Sequence, residues 1–78
     1  AGAVEAYKKA LLLAPWVADL YFNLGVTQEK AGAPQDAIAS FRFYLLASPD
    51  AKDAEQVRER IGELKAAAKE AAVESPQS

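Results

Sequence analysis

The sequence predicts an all-α fold of antiparallel helix-turn-helix repeats, an α-solenoid fragment of about four helices. The stretch YKKALLLAP at residues 7–15 recurs in similar form as FRFYLLASP at residues 41–49, an offset of 34 positions. Self-similarity at a fixed period of this length indicates that one helical unit is stacked repeatedly. The apolar side chains also follow helical spacings of about three and four residues, and proline or glycine separates one segment from the next.

The first two helices are delimited by a proline and a glycine. The first is predicted over residues 3–14, and Pro15 ends it. The second is predicted over residues 18–31, and Gly32 is expected to stop it because glycine accepts the left-handed backbone conformation. The side chains expected on one face of each helix are Val4, Tyr7 and Leu11 in the first, and Tyr21, Leu24 and Gln28 in the second.

The third and fourth helices follow the same rules. Pro34 suits the first turn of the third helix, which is predicted to end near Ala47, before Pro49. The fourth is expected to begin near Ala51, and its predicted apolar stripe comprises Ala54, Val57, Ile61, Leu64 and Ala68. Residues 74–78 are predicted to form a disordered tail.

Composition limits the function classes open to this chain. It has 78 residues, a net charge of −2, and no cysteine, histidine or methionine. The length indicates one small domain, and without a basic patch we expect no nucleic-acid partner. No apolar run approaches the roughly 20 residues that cross a bilayer, so we expect no membrane partner. Histidine and cysteine are not available to build a nucleophile–base pair, so we expect no enzymatic activity, and we expect no cofactor or metal.

The second and third helices resemble the tetratricopeptide repeat, a pair of antiparallel helices of about 34 residues. Tyr21 stands at the tryptophan position of that signature, and the positions that match it further along are Leu24, Gly25, Ala37, Phe41 and Pro49. The same second-helix positions one repeat earlier hold Ala3, Tyr7, Ala10 and Pro15. Two residues depart from the pattern, since Gln28 replaces a tyrosine and Tyr44 replaces a small residue. We expect Tyr44 to push the following helix outward or to fill the space left by Ala54.

The resemblance implies a division of the chain. Residues 1–73 form one tetratricopeptide-like domain, in which residues 1–14 are the second helix of a truncated repeat. Residues 18–51 are a complete repeat, and residues 52–73 are a capping helix with a polar outer face.

The resemblance also implies a function: a protein–protein interaction module that binds a partner peptide or helix on its concave face. The groove positions carried over to this sequence are Asp19, Phe22, Asn23, Val26, Glu29 and Lys30 on the repeat, and Lys52, Glu55, Gln56, Glu59 and Glu63 on the capping helix.

Two features of these positions carry the hypothesis. Phe22 and Val26 are four residues apart and form one apolar spot on a helix face. Glu55, Glu59 and Glu63 follow at the same spacing and form an acidic column that favours a partner with a basic flank. The alternatives are that the apolar pair packs against a neighbouring helix and that the column is an ordinary solvated face.

A structural role is the alternative function. The segment then caps a longer array and has no ligand of its own. The first helix lacks the partner helix of its own repeat, so Val4, Tyr7 and Leu11 are expected to form an apolar self-association surface. A homodimer through the first helix would cover it.

Overall fold

The computed structural model describes residues 2–14 and 16–74. This part of the chain contains the helices α1 (Gly2–Leu13), α2 (Ala18–Lys30), α3 (Pro34–Ala47) and α4 (Ala54–Glu74), and no strand. Each helix packs against the next one along the chain. Among these residues, no Cα atom of α1 lies within 8 Å of α3, and none of α2 lies within 8 Å of α4. The predicted all-α fold of stacked helix pairs is confirmed.

The turn between α2 and α3 has the geometry that the glycine and proline predict. Gly32 has a φ of +82°, and its N–H donates to the carbonyl oxygen of Glu29 at 3.1 Å. The N–H of Ala33 donates to the carbonyl oxygen of Gln28 at 2.9 Å. This pair of bonds is a Schellman motif, which satisfies carbonyl groups that the helix end leaves open. Pro34 then begins α3 at a position where its missing N–H costs nothing.

A close approach in the core joins α2 to α3 at Gly25. The ring of Phe41 is 1% exposed, and it lies against the α2 backbone at this glycine. An ideal Cβ atom built on Gly25 would stand 2.7 Å from Cε1 of Phe41, well inside van der Waals contact. Gly25 is therefore required by packing.

A buried polar pair includes Gln28, the residue that replaces a tyrosine of the repeat pattern. Gln28 on α2 and Ser40 on α3 are each 5% exposed. The Ser40 hydroxyl donates to Oε1 of Gln28 at 2.6 Å, which satisfies both groups inside the core. The departure at Gln28 is thus matched by a hydrogen-bonding partner on the facing helix.

Tyr44 joins α3 to the start of α4. Its side chain is buried, and its hydroxyl donates to Oδ1 of Asp53 at 2.7 Å. The carbonyl oxygen of Asp53 accepts the first helical hydrogen bond, from the N–H of Val57 at 2.9 Å, so Asp53 is the N-cap of α4. The helix therefore begins at Ala54, later than the predicted start near Ala51, because residues 52–53 form a turn.

The remainder of α4 separates into a core half and an exposed half. Val57, Ile61 and Leu64 are buried against the core, whereas residues 65–67 are exposed. The tail predicted over residues 74–78 overlaps the helix at Glu74, and residues 75–78 lie outside the described residues.

Two glycines provide a matched test of the α2–α3 contact. Gly25→Ala should destabilise the fold by roughly 1–3 kcal/mol, because the added methyl group overlaps a buried ring, so the ring or the helix must shift. Gly62 in α4 has no heavy atom within 4 Å of an added Cβ, so Gly62→Ala should stabilise by about 0.5–1 kcal/mol through helix propensity. Urea unfolding followed by circular dichroism measures both. Equal stability of Gly25→Ala and the native chain would contradict the packing requirement.

The hydrogen bond at Tyr44 should make stability fall at high pH. The bond to the Asp53 carboxylate, then burial, then the charges of Asp53 and Asp19 raise the pKa of Tyr44. The folded state has the higher pKa, so this stabilisation is complete below about pH 10, the usual value in an unfolded chain. It is lost as the pH rises through the folded-state pKa.

The measurement compares the native chain with Tyr44→Phe across pH. We expect the native chain to be more stable by about 1–3 kcal/mol near pH 7, because a hydrogen bond to a charged group is removed. The advantage should shrink above about pH 10. A difference in unfolding free energy that stays constant across this range would show that the phenol does not titrate against Asp53.

Candidate partner-binding cleft

An open cleft of about 390 Å³ lies between α2 and α4, over the ring of Phe41 from α3. It exists because α2 and α4 flank α3 without approaching each other directly. The side chains that line it come from all three helices and from the N-cap of α4; they are Phe22, Val26, Glu29, Lys30, Phe41, Asp53, Gln56, Val57 and Arg60.

The floor of the cleft is apolar and firmly held. The ring of Phe22 is tilted against Phe41, with centroids 5.7 Å apart, and against Tyr44, with centroids 5.5 Å apart. Phe22 and Val26 are half-buried, so each packs on the core and also presents a surface to the cleft. Because the aromatic contacts fix the ring, it is a rigid anchoring surface.

An ion pair bridges the two walls at one end. Nε of Arg60 on α4 donates to Oε1 of Glu29 on α2 at 3.0 Å, and Nη2 pairs with Oε2, which makes the contact bidentate. Nη1 of Arg60 also lies 3.5 Å from Oε1 of Glu63. The Arg60 side chain is 51% exposed, so this pair contributes at most about 1 kcal/mol to stability. Its main consequence is geometric, because it joins two helices whose backbones do not touch.

The other end of the cleft carries Asp53. One oxygen of its carboxylate accepts the Tyr44 hydroxyl, which holds the side chain in place at the mouth of the cleft. The negative charge of Asp19, in the first turn of α2, also acts on the Tyr44 phenol and contributes to its raised pKa. Two carboxylates therefore act on the region around the α2 N-terminus and the start of α4.

The structure brings five of the eleven predicted groove residues together. Five of them line the cleft: Phe22, Val26, Glu29, Lys30 and Gln56. Asp19, Asn23 and Lys52 are exposed and do not line it, and neither do Glu55, Glu59 and Glu63. The buried stripe of α4 passes through Val57 and Ile61, and at about 100° per residue Glu55 and Glu59 point away from it. Glu63 lies closer to the cleft side, where it pairs with Arg60.

Three residues of α4 and its N-cap line the cleft but are not among the groove positions predicted from the sequence: Asp53, Val57 and Arg60. Two signals for them were present in the sequence. Asp before Ala-Glu is a common N-cap pattern, and Arg60 follows Gln56 by four residues, so the two share one helix face.

The first helix leaves apolar side chains in solvent. Val4, Tyr7 and Leu11, predicted for self-association, are only partly exposed. Leu11 also borders a second, more open cleft of about 300 Å³ that reaches α2 and α3. The most exposed large side chains near this helix are Leu12 at 84%, Leu13 at 82% and Trp16 at 75%.

Two further properties of the described residues concern metal ions and membranes. Within residues 2–14 and 16–74, no three His, Cys, Asp or Glu side chains are grouped so that they could hold a metal ion. The four described helices include none with the length and hydropathy needed to span a bilayer.

Comparison with known proteins identifies the repeat. A family model described as tetratricopeptide repeat matches residues 1–62, which is most of the chain. No curated protein and no solved structure matches the chain significantly. The match includes the close contact of Gly25 with Phe41 and the turn at Gly32. The chain belongs to the tetratricopeptide repeat family, whose members generally mediate protein–protein interactions.

Proposed function

We propose that the chain binds a partner peptide or helix in the cleft between α2 and α4. The observation that carries this proposal is the apolar floor of a 390 Å³ cleft that is open to solvent and framed by charged side chains. Apolar surface with convergent polar groups is the usual composition of a binding site. The cleft faces the same side of α2 that carries Phe22 and Val26, the apolar spot of the predicted groove.

The size of the cleft limits what enters it. A volume near 390 Å³ is at the lower end of ligand pockets, which run from roughly 300 to 1,000 Å³. It therefore accommodates a few anchoring side chains of the partner rather than a whole helix. Such anchors commonly dominate the affinity of an interface, and the surrounding contacts exclude water. We propose that the anchors are apolar and that the partner has a basic flank, in keeping with the net charge of −2.

Two valines allow the anchoring surface to be tested with the same substitution. Val26→Thr keeps the shape of a side chain that lines the cleft but replaces one of its methyl groups with a hydroxyl. We expect the dissociation constant of a bound peptide to rise about five- to tenfold, since an apolar contact is lost and a polar group is desolvated. The control is Val17→Thr, because Val17 is 37% exposed and does not line the cleft.

The probe is a peptide selected from a random twelve-residue library displayed on phage, and fluorescence anisotropy gives its affinity for each variant. Affinity that is unchanged in Val26→Thr, or reduced equally in Val17→Thr, would place the bound peptide outside the cleft. Failure to select any peptide that competes for this surface would count against the proposed function itself.

A second candidate function is self-assembly through the first helix. The specific observation is that Leu12, Leu13 and Trp16 are the most exposed large apolar side chains next to an otherwise sparsely packed helix. Exposed apolar groups that are contiguous usually meet a partner surface. Another copy of the chain, or a neighbouring repeat, could cover them.

Two leucines allow self-assembly through the first helix to be tested with the same substitution. We expect the native chain to dimerise with increasing concentration, and Leu13→Ser to raise the dimer dissociation constant at least about tenfold, because an apolar contact of roughly 1.5–3 kcal/mol is removed. The control is Leu46→Ser on α3, since Leu46 is 76% exposed but distant from α1 in sequence and helix order. Light scattering over a concentration series measures the molar mass. A native chain that remains monomeric throughout would rule out this assembly.

A further inference from the structure

We infer that the cleft receives a basic side chain of the partner at its Asp53 end, with the cation on the Asp53 carboxylate, Asp19 adding negative charge from outside the cleft, and the adjoining apolar segment over Phe22. This inference rests on the proposed function and specifies the partner: a peptide in which lysine or arginine adjoins an apolar anchor. It also assigns the basic flank to a different place from the acidic column of Glu55, Glu59 and Glu63.

The balance of charge distinguishes the two ends of the cleft. At one end, Arg60 is shared between Glu29 and Glu63, and Lys30 also lines the cleft there, so two positive charges balance two negative ones. At the other end, neither Asp19 nor Asp53 has a lysine or arginine nitrogen within 4.0 Å in the described part of the chain. Lys52 precedes Asp53 but is exposed and does not line the cleft, so the charge left at the cleft near the start of α4 is negative. A cationic group complements it.

The Asp53 carboxylate is positioned in advance to accept a cation. Its Oδ1 accepts the Tyr44 hydroxyl at 2.7 Å, and its second oxygen has no other hydrogen bond to the described residues. The bond to a buried tyrosine restricts the side-chain rotamer, so less conformational freedom is lost when a ligand binds. Asp53 is only partly buried and lines the cleft, so it is reachable from solvent.

Aromatic rings lie next to this carboxylate. Phe22 contacts Tyr44 at 5.5 Å between centroids, and Tyr44 is bonded to Asp53. A lysine or arginine that reaches Asp53 therefore lays its aliphatic stem along the Phe22 side of the cleft. Ring faces also attract cations, which adds to the carboxylate interaction.

The acidic column on α4 does not meet the same conditions. Glu55 and Glu59 are exposed and do not line the cleft, and Glu63 is already paired with Arg60. A partner whose apolar anchor occupies the cleft therefore meets Asp53 before it meets the column.

Two small probes of the same shape test the inference. The cation 4-phenylbutylamine and the anion 4-phenylbutyrate share a phenyl group and a four-carbon length, so charge is the main difference between them. Each is titrated into the isotopically labelled chain, and the amide signals of residues 22–26 and 53–57 are followed by NMR. We expect dissociation constants in roughly the millimolar range for ligands of this size. The amine should bind the cleft at least about fivefold more tightly than the acid.

Two double variants locate the charge that produces this preference. Asp19→Asn with Asp53→Asn removes both proposed carboxylates, and asparagine still accepts the Tyr44 hydroxyl and caps α4. Glu55→Gln with Glu59→Gln is the control, because each pair changes the net charge equally, from −2 to −2 + 2 = 0. The preference for the amine should disappear in the first pair and persist in the second.

Each outcome decides between the inference and the proposed function. If both probes bind the cleft equally well, the cation site is wrong while the apolar cleft stands. The cation site is also wrong if the preference disappears with the glutamine pair and survives the asparagine pair. If neither probe shifts the cleft signals, the apolar cleft does not bind and both proposals fail.

Discussion

The contact between Gly25 and Phe41 is the constraint on which the rest of this structure depends. Because glycine has no Cβ atom, the α2 backbone rests directly on the ring, and the two helices pack more closely than a larger residue would allow without a shift. Phe22 lies one turn earlier on α2 and is thereby brought against the same ring. The close packing of one helix pair thus sets the position of the aromatic surface that forms the floor of the cleft.

Tyr44 extends this arrangement to the final helix. A large side chain occupies a position where the repeat pattern favours a small one, and it is accommodated by burial against Phe22 and by its bond to Asp53. Since Asp53 is also the N-cap of α4, one residue couples the start of that helix to the core of the preceding repeat. The same carboxylate faces the cleft, so a contact that organises the fold also supplies charge to the site.

Local sequence signals were sufficient for the helices and the turn at Gly32, because these follow from spacing and backbone preference. Gly25 and Phe41 were singled out only by the resemblance to the repeat signature. The orientation of α4 was not accessible in this way. It depends on the turn that precedes Ala54, which is held by a bond between Tyr44 and Asp53, and no periodic pattern encodes that bond. Four of the six predicted groove positions on α2 line the cleft, whereas Glu55 and Glu59 on α4 do not.

The separation of α2 from α4 has a mechanical consequence. Both helices pack on α3, and their backbones do not contact each other. The exposed ion pair of Glu29 and Arg60 joins them directly. Dissolved salt screens the attraction within such an exposed ion pair, whereas it leaves the apolar packing of the two helices on α3 largely unaffected. Higher ionic strength should therefore weaken the link between the two walls of the cleft, while each wall keeps its packing on α3.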